Sequence, residues 1–363
     1  MTFQEKTEAF ITLGKFFAQF RTASFNENTE LEELNNQFKE RFDRLILTEE
    51  NHNPWFTPEN IRFSLGSFAD ALQKDKLGKW ISHYPALASA PAQRLNIGVI
   101  MAGNIPMVGF HDFLTVLISG HRLVAKLSSK DEHMLPAVWD VLVWLNHDFN
   151  GLVAFEEGRL KNPDAIIATG SNNSSRYFEY YFGKYPHIIR KNRNSAAVLD
   201  GSETASDLEH LAGDIFTYFG LGCRNVSKIY IPADYEIPHL LDHFQHYAYL
   251  ANHHKYVNNY EYYRAIHLVN QTPFLDTGFL VVKEDRNYSS PVGTIHYERY
   301  TKKEQVVDRL HQDQDQLQCT VAKNLDNTLD FGMTQSPMLW EYADNVDTLK
   351  FLLNLSTKTG HGL

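Results

Sequence analysis

Cysteine is almost missing from this chain: Cys223 and Cys319 are its only two in 363 residues. A disulfide framework is excluded at that density, so a reducing compartment is expected and each thiol needs its own explanation. Long apolar runs are missing as well. Nothing approaches the roughly 20 residues that cross a bilayer. The opening MTFQEKTEAFITLGKFF lacks a basic segment followed by an extended apolar stretch and a small-residue cleavage site. These absences predict a soluble, cytoplasmic protein with no membrane span. Positive charge is scarce too, with 34 basic against 44 acidic side chains, a net charge of −10. Without a long Lys/Arg run, general binding to nucleic acid or to a membrane surface is disfavoured. Internal repeats and low-complexity tracts are absent. With 13% aromatic and 21% charged residues, the chain has the composition of a packed protein rather than a disordered one.

What is present changes texture along the chain. Over residues 1–94 apolar positions recur at helical spacing (Phe10, Leu13, Phe16, Phe17; then Leu31, Leu34, Phe38, Phe42), which predicts a surface-rich helical lead packed on the next domain. A helix is expected over about 57–72. From residue 95 short apolar runs alternate with helical stretches: strands at Ile97–Ala102, Leu123–Leu127, Ala165–Ala168, Ile188–Ile189 and Ala196–Leu199, with helices from about Met107, Asp131 and Ser171. Gly120 suits the position just past a helix. This alternation is the pattern of an α/β fold with a doubly wound, Rossmann-type parallel sheet over 95–200. A second α/β domain is expected over 201–330, with a helix from Glu203 to Phe219, and strands at Lys228–Ile231, Phe279–Val282, Thr294–Tyr297 and Gln318–Val321. Residues 331–363 form a terminal segment that returns to the first domain.

Four short segments can carry chemistry. In Phe219-Gly220-Leu221-Gly222-Cys223-Arg224-Asn225, paired glycines allow close backbone approach, and an adjacent arginine favours the thiolate, the nucleophilic form. A buried, inert cysteine at a tight turn has the same residues. Cys319 reads as a strand residue. Gly103-Asn104-Ile105-Pro106 follows a parallel strand, where an Asn amide can donate to an oxyanion or simply fill a strand-to-helix turn. Thr169-Gly170-Ser171 opens a helix whose first amides can meet a phosphate, or is an ordinary cap. Lys126-Leu127-Ser128-Ser129-Lys130 ends a strand with two cations and two hydroxyls, suited to a ribose or phosphate or to a solvated turn. His239, His243, His246, His253 and His254 fall on one predicted helix, but no HExxH pattern completes a metal site there, and no metal is expected. The tyrosines from Tyr247 to Tyr263 line a pocket or form a packing face.

Taken in order, these segments resemble the aldehyde-dehydrogenase superfamily, and most closely its acyl-CoA reductase branch of the bioluminescence (LuxC) type. Phe331-Gly332-Met333-Thr334-Gln335-Ser336-Pro337, Tyr342-Ala343-Asp344 and Val346-Asp347-Thr348 are similar to the closing segment of that branch. The resemblance spans roughly residues 95–355. It implies an aldehyde-dehydrogenase-like fold, an NADP-binding domain at 95–200, a catalytic domain at 201–330 and a homo-oligomer. It implies Cys223 as the nucleophile that takes the acyl group from an acyl-CoA thioester, and Asn104 as the oxyanion-hole amide acting with the Cys223 N–H. Lys126 corresponds to the lysine that holds the adenosine ribose, and Thr169, Gly170 and Ser171 to the loop that meets the dinucleotide, with Ser128 beside them.

The departures sharpen the expected reaction. Hydrolytic relatives carry a glutamate base where this chain reads Ile188-Ile189-Arg190-Lys191-Asn192-Arg193. Without a base to activate water, the thioester persists for reduction or return to a thiol. Ser129 stands where NAD-preferring relatives place a glutamate, and Lys130 after it offers a cation to a 2′-phosphate, which points to NADPH. The expected reaction is NADPH-dependent reduction of acyl-CoA to aldehyde; an oxidising NADP-dependent aldehyde dehydrogenase and a non-catalytic acyl-binding relative are the alternatives. Lys126–Lys130 and Arg190–Arg193 are the expected basic sites for the anionic ligands.

Overall fold

Apolar residues at every third or fourth position coil the first part of the chain into helices. The computed structural model describes residues 1–89, 91 and 93–358. It opens with α1 (Phe3–Ala18), α2 (Glu32–Thr48), α3 (Pro58–Ala71) and α4 (Lys74–Ser82). Thr2 and Glu5 close a capping box on α1, and Thr57 caps α3 ahead of Pro58, each satisfying backbone N–H groups that have no partner within the helix. The lead is surface-rich along its polar positions and carries a buried aromatic stripe. Phe10, Leu13, Phe16, Phe17, Phe20 and Phe42 are fully buried, and the Phe17 and Phe68 rings lie 6.0 and 4.4 Å from Phe110. The cover of this stripe is the first sheet's own helical layer, in the domain on which the lead was expected to pack.

That layer alternates with β1 (Asn96–Ile100), α5 (Phe110–Ile118), β2 (Arg122–Lys126), α6 (Met134–Leu145), β3 (Val153–Phe155), β4 (Ala165–Thr169), α7 (Asn172–Phe182) and β5 (His187–Arg190). The strands are parallel in the order β3-β2-β1-β4-β5. The chain reverses direction across the sheet between β1 and β4, which creates a crevice at their carboxyl ends where open α/β sheets bind ligands. Helix α5 begins at Phe110 rather than Met107, because Met107 takes a left-handed φ of 56°. Gly120, with φ of 88°, closes α5 as expected.

The second sheet contains β6 (Asn194–Val198), β7 (Val226–Pro232), β8 (Leu275–Asp276), β9 (Val281–Glu284), β10 (Thr294–Tyr300) and β11 (Leu317–Ala322) in the order β11-β6-β7-β10-β9-β8. All its pairings are parallel except β8 with β9. Strand β6, expected in the first sheet, belongs here, since an apolar run does not encode its pairing partner. The helices of this unit are α8 (Ala205–Phe216), α9 (Ile237–Asp242), α10 (His254–Val269) and α11 (Lys303–Gln312). The single His-rich helix expected over 239–254 is broken: a 3-10 segment, Gln245–Asn252, separates α9 from α10. The histidines therefore do not share one face.

The chain divides into two units, Met1–Lys191 with the C-terminal stretch from Ser336, and Asn192–Gln335. The final helix, α12 (Thr348–Lys358), buries Leu349 and Leu352 in the first unit. Ahead of it the Tyr342 hydroxyl accepts from Trp80 Nε1 at 2.7 Å and lies 2.8 Å from the Tyr84 hydroxyl, which donates to Asp347 at 2.9 Å. Among the described residues no helix is long and apolar enough to cross a membrane.

Candidate active site

Cys223 lies in the second unit, on the connection from α8 to β7. The helix expected to continue to Phe219 stops at Phe216, because Tyr218 and Phe219 adopt left-handed backbone angles (φ 55° and 59°) and Gly220 follows at 76°. Two non-glycine residues in that region cost on the order of 1–2 kcal/mol each. Burial offsets the strain: Tyr218 and Phe219 are buried, with the Phe219 ring 4.3 Å from His253 and 6.1 Å from Tyr256. Such strain concentrates where a backbone must be held in one functional geometry.

Asn225 holds the turn. Its Oδ1 accepts from the Gly222 N–H at 2.8 Å, and its own N–H donates to the Gly222 carbonyl at 3.0 Å. Its Nδ2 reaches the carbonyls of Asp214, Ile215 and Thr217 at 3.0, 3.3 and 2.9 Å, which are acceptors that the end of α8 leaves without helical partners. Asn225→Ala should remove all of this and leave buried polar groups unmatched. We expect a loss of about 2–4 kcal/mol, read as a lower denaturant midpoint with an unchanged slope.

The half-buried Cys223 is further anchored from behind. Ser195 Oγ donates to the Cys223 carbonyl at 3.0 Å and lies 3.1 Å from Cys319 Sγ. Cys319, read from sequence as a strand residue, is on β11 and is also one hydroxyl away from the Cys223 backbone. Arg224 Nε donates to the Thr334 carbonyl at 2.5 Å. Asp214 accepts from the Gly332 and Thr334 amides at 2.7 and 3.0 Å and from the Thr334 hydroxyl at 2.7 Å. Burial pushes the Asp214 carboxyl above its ordinary range, and those hydrogen bonds pull it back. Asn225 stands in the Cys223 segment without a role read for it, while Ser195 and Asp214 have no local mark, because their partners lie up to 124 and 120 residues away.

In the first unit the other candidate residues line the carboxyl edge of the sheet. Asn104, half-buried, follows β1 in a loop fixed at two points: Ser64 Oγ donates to the Pro106 carbonyl at 2.9 Å, and the Met107 N–H donates to Asp131 Oδ2 at 2.7 Å. Gly103 is required by close approach, since a Cβ there would lie 2.6 Å from Ser128 Oγ. Lys126 ends β2; Ser128 Oγ accepts the Lys130 N–H at 3.3 Å, and Ser129 and Lys130 are exposed. Thr169 ends β4, and Ser171 caps α7 by accepting the Ser174 N–H at 3.2 Å. Because β2, β1 and β4 are neighbours, the Asn104 loop, Lys126–Lys130 and Thr169–Ser171 share the crevice at the switch point.

Arg190 is not a basic docking site. It is buried, paired with Asp112 through two hydrogen bonds of 2.6 and 2.9 Å, and it donates to Thr348 Oγ1 at 2.8 Å and Thr169 Oγ1 at 3.4 Å. Its side chain meets the end of β4 at the Thr169 hydroxyl. Arg193 is likewise engaged, donating to the Gln314 and Leu317 carbonyls at 3.1 and 3.0 Å. The tyrosine run divides: Tyr256 and Tyr260 are buried and Tyr247 stacks on Phe216 at 4.8 Å, while Tyr249 and Tyr262 are exposed.

The fold is aldehyde-dehydrogenase-like. No family model matches the chain, and no curated protein matches its sequence. Solved structures do match in shape. Aldehyde dehydrogenase 21 from Physcomitrella patens, in complex with the reaction product succinate, superposes with a TM-score of 0.65 at 12% identity, over 97% of this chain and 88% of that one. The aldehyde dehydrogenase from Bacillus cereus in its NAD+ complex gives 0.59 at 13% identity, over 93% and 83%. That from Mycobacterium tuberculosis complexed with NAD+ gives 0.57 at 13%, over 82% and 70%. At such identities the likeness is one of fold.

Proposed function

We propose that this chain is an NADPH-dependent acyl-CoA reductase that releases aldehyde by way of an acyl thioester on Cys223. The observation that carries the reading is a cysteine held in a strained, aromatic-buttressed turn on an aldehyde-dehydrogenase-like fold.

The residues at the carboxyl edge of the first sheet fit a dinucleotide. Gly103 lets two strand-end loops meet, the first amides of α7 lie at the end of β4, and exposed Ser129 and Lys130 suit a 2′-phosphate. Lys126 would hold the adenosine ribose and Thr169–Ser171 the pyrophosphate side. When bound, the cofactor supplies the hydride that takes the acyl group to the aldehyde level.

The chain's own residues perform the acyl transfer. The Cys223 thiolate attacks the thioester carbonyl carbon, the bond to the CoA sulfur breaks, and CoA leaves as its thiolate, which takes up a proton. The family resemblance implies the Cys223 N–H and the Asn104 amide as the oxyanion donors. The Ile188–Arg193 segment contains no carboxylate, so no general base on it turns water onto the acyl group. After reduction, collapse at Cys223 frees the aldehyde and restores the thiolate.

The test is NADPH consumption with a panel of acyl-CoA thioesters of increasing chain length, beside an aldehyde with NADP and no CoA. We expect aldehyde from at least one thioester and little free acid from the aldehyde. Rapid formation of free acid would make the chain an oxidising dehydrogenase. A stronger thermal shift with NADH than with NADPH would overturn the role of Ser129 and Lys130.

A further inference from the structure

A second group of chemically capable side chains gathers in the first unit, where α2 ends. Glu49, His52 and His133 each present a donor atom, and these atoms lie within 4.8 Å of one another. Among the described residues this is the one group of its kind, and the histidines from His239 to His254 form none. Glu49 opens the turn after α2 and is only 2% exposed. His133 precedes α6, and its Nδ1 lies 3.0 Å from Glu49 Oε1 and 3.2 Å from Oε2. The His52 ring is 4.6 Å from that of His133, tilted by 57°. Asn53 Nδ2 donates to the Lys130 carbonyl at 3.2 Å, holding this turn against the loop that follows β2.

A separate observation points to a cation. Asp131, two residues before His133, is buried. Its Oδ2 accepts the Met107 N–H, but its buried Oδ1 has no partner. Glu49 brings a carboxylate held away from water against two imidazoles, a donor set that a divalent ion can bridge.

We propose that Glu49, His52 and His133 bind one transition-metal ion of the zinc class, with Asp131 as a supporting carboxylate behind them. Two imidazole nitrogens and a carboxylate oxygen select such an ion over magnesium or calcium, which take oxygen ligands. Ligand atoms at about 2.0 Å from a shared tetrahedral ion lie about 3.3 Å apart, a spacing that Glu49 and His133 already have. His52 is exposed, so a change of rotamer brings it in. The ion ties the end of α2 to the loop carrying Ser128, Ser129 and Lys130. This proposal does not depend on which reaction the chain catalyses.

The experiment strips the full chain with a chelator, adds Zn2+, and follows binding by calorimetry and X-ray absorption. We expect one ion per chain in a shell of two imidazole nitrogens and at least one carboxylate oxygen, with no competition from Mg2+. His52→Gln, at an exposed position that leaves the chelated protein's melting temperature unchanged, should weaken binding by about 10-fold or more. His239→Gln/His243→Gln should not weaken it. The proposal fails if no stoichiometric Zn2+ is bound, if His52→Gln binds as tightly as the parent, or if binding is lost in the His239/His243 variant instead.

Discussion

Cys223→Ala should abolish acyl-CoA-dependent NADPH oxidation, lowering turnover by about 1,000-fold or more, as expected when the nucleophile of a covalent mechanism is removed. The geometry makes this a clean substitution. The turn around Cys223 is held by Asn225, Ser195 and two buried aromatics, so losing one half-buried sulfur leaves the fold in place. The parent incubated with acyl-CoA and no NADPH should gain the mass of the acyl group on the peptide containing Cys223, and the variant should not. Cys319→Ser serves as the contrast: its sulfur meets the Ser195 hydroxyl, and the variant should keep the adduct. Near-normal turnover in Cys223→Ala would remove the nucleophile assignment altogether.

The largest effect on stability should come from the buried pair Arg190–Asp112. Both side chains are under 10% exposed, at 6% and 9%. Burial alone would lower the Arg190 pKa, yet Asp112 holds it above its ordinary value. Asp112→Ala leaves a guanidinium desolvated without its counter-charge, against Thr169 and Thr348, and should cost about 3–5 kcal/mol. Arg190→Met combined with Asp112→Leu removes both charges and should recover most of the loss, because the pair's attraction largely offsets its own desolvation. Chemical denaturation of the single and double variants checks both statements. Equal loss in both would mean that the two residues act through packing rather than charge.

Much of the architecture was legible because it follows from periodicity and punctuation. Helix α3, strands β1, β2 and β4, and the stop at Gly120 fall within a few residues of their expected places, since apolar spacing and a residue free to take positive φ act locally. Short strands such as β3 and β8, and the polar helix α11, have too little pattern to stand out. Helix α8 was read three residues too long because Tyr218 and Phe219 look helical by composition. Their left-handed angles are imposed by burial and by Asn225, which no local propensity reports. The same applies to Arg190, whose charge reads as a surface cation until Asp112, 78 residues away, neutralises it. The Glu49–His52–His133 group also spans α2 and α6, a separation of 84 residues between Glu49 and His133, so spacing rules for metal ligands pass over it.

The scarcity of cysteine narrowed the thiol chemistry to two residues, and the glycines and arginine beside Cys223, together with the family resemblance, made it the candidate. Composition, strand-end motifs and their order were enough for the α/β class and for Asn104, Lys126, Ser129, Thr169 and Ser171 as candidates, because each is a property of a few neighbouring residues. Tertiary structure alone decided that β6 pairs in the second sheet, that Arg190 is a buried strut, and that Cys319 lies across a hydroxyl from the Cys223 backbone. Those outcomes depend on which distant groups meet once water is excluded, and pairing across such separations is settled by packing and charge compensation rather than by local sequence.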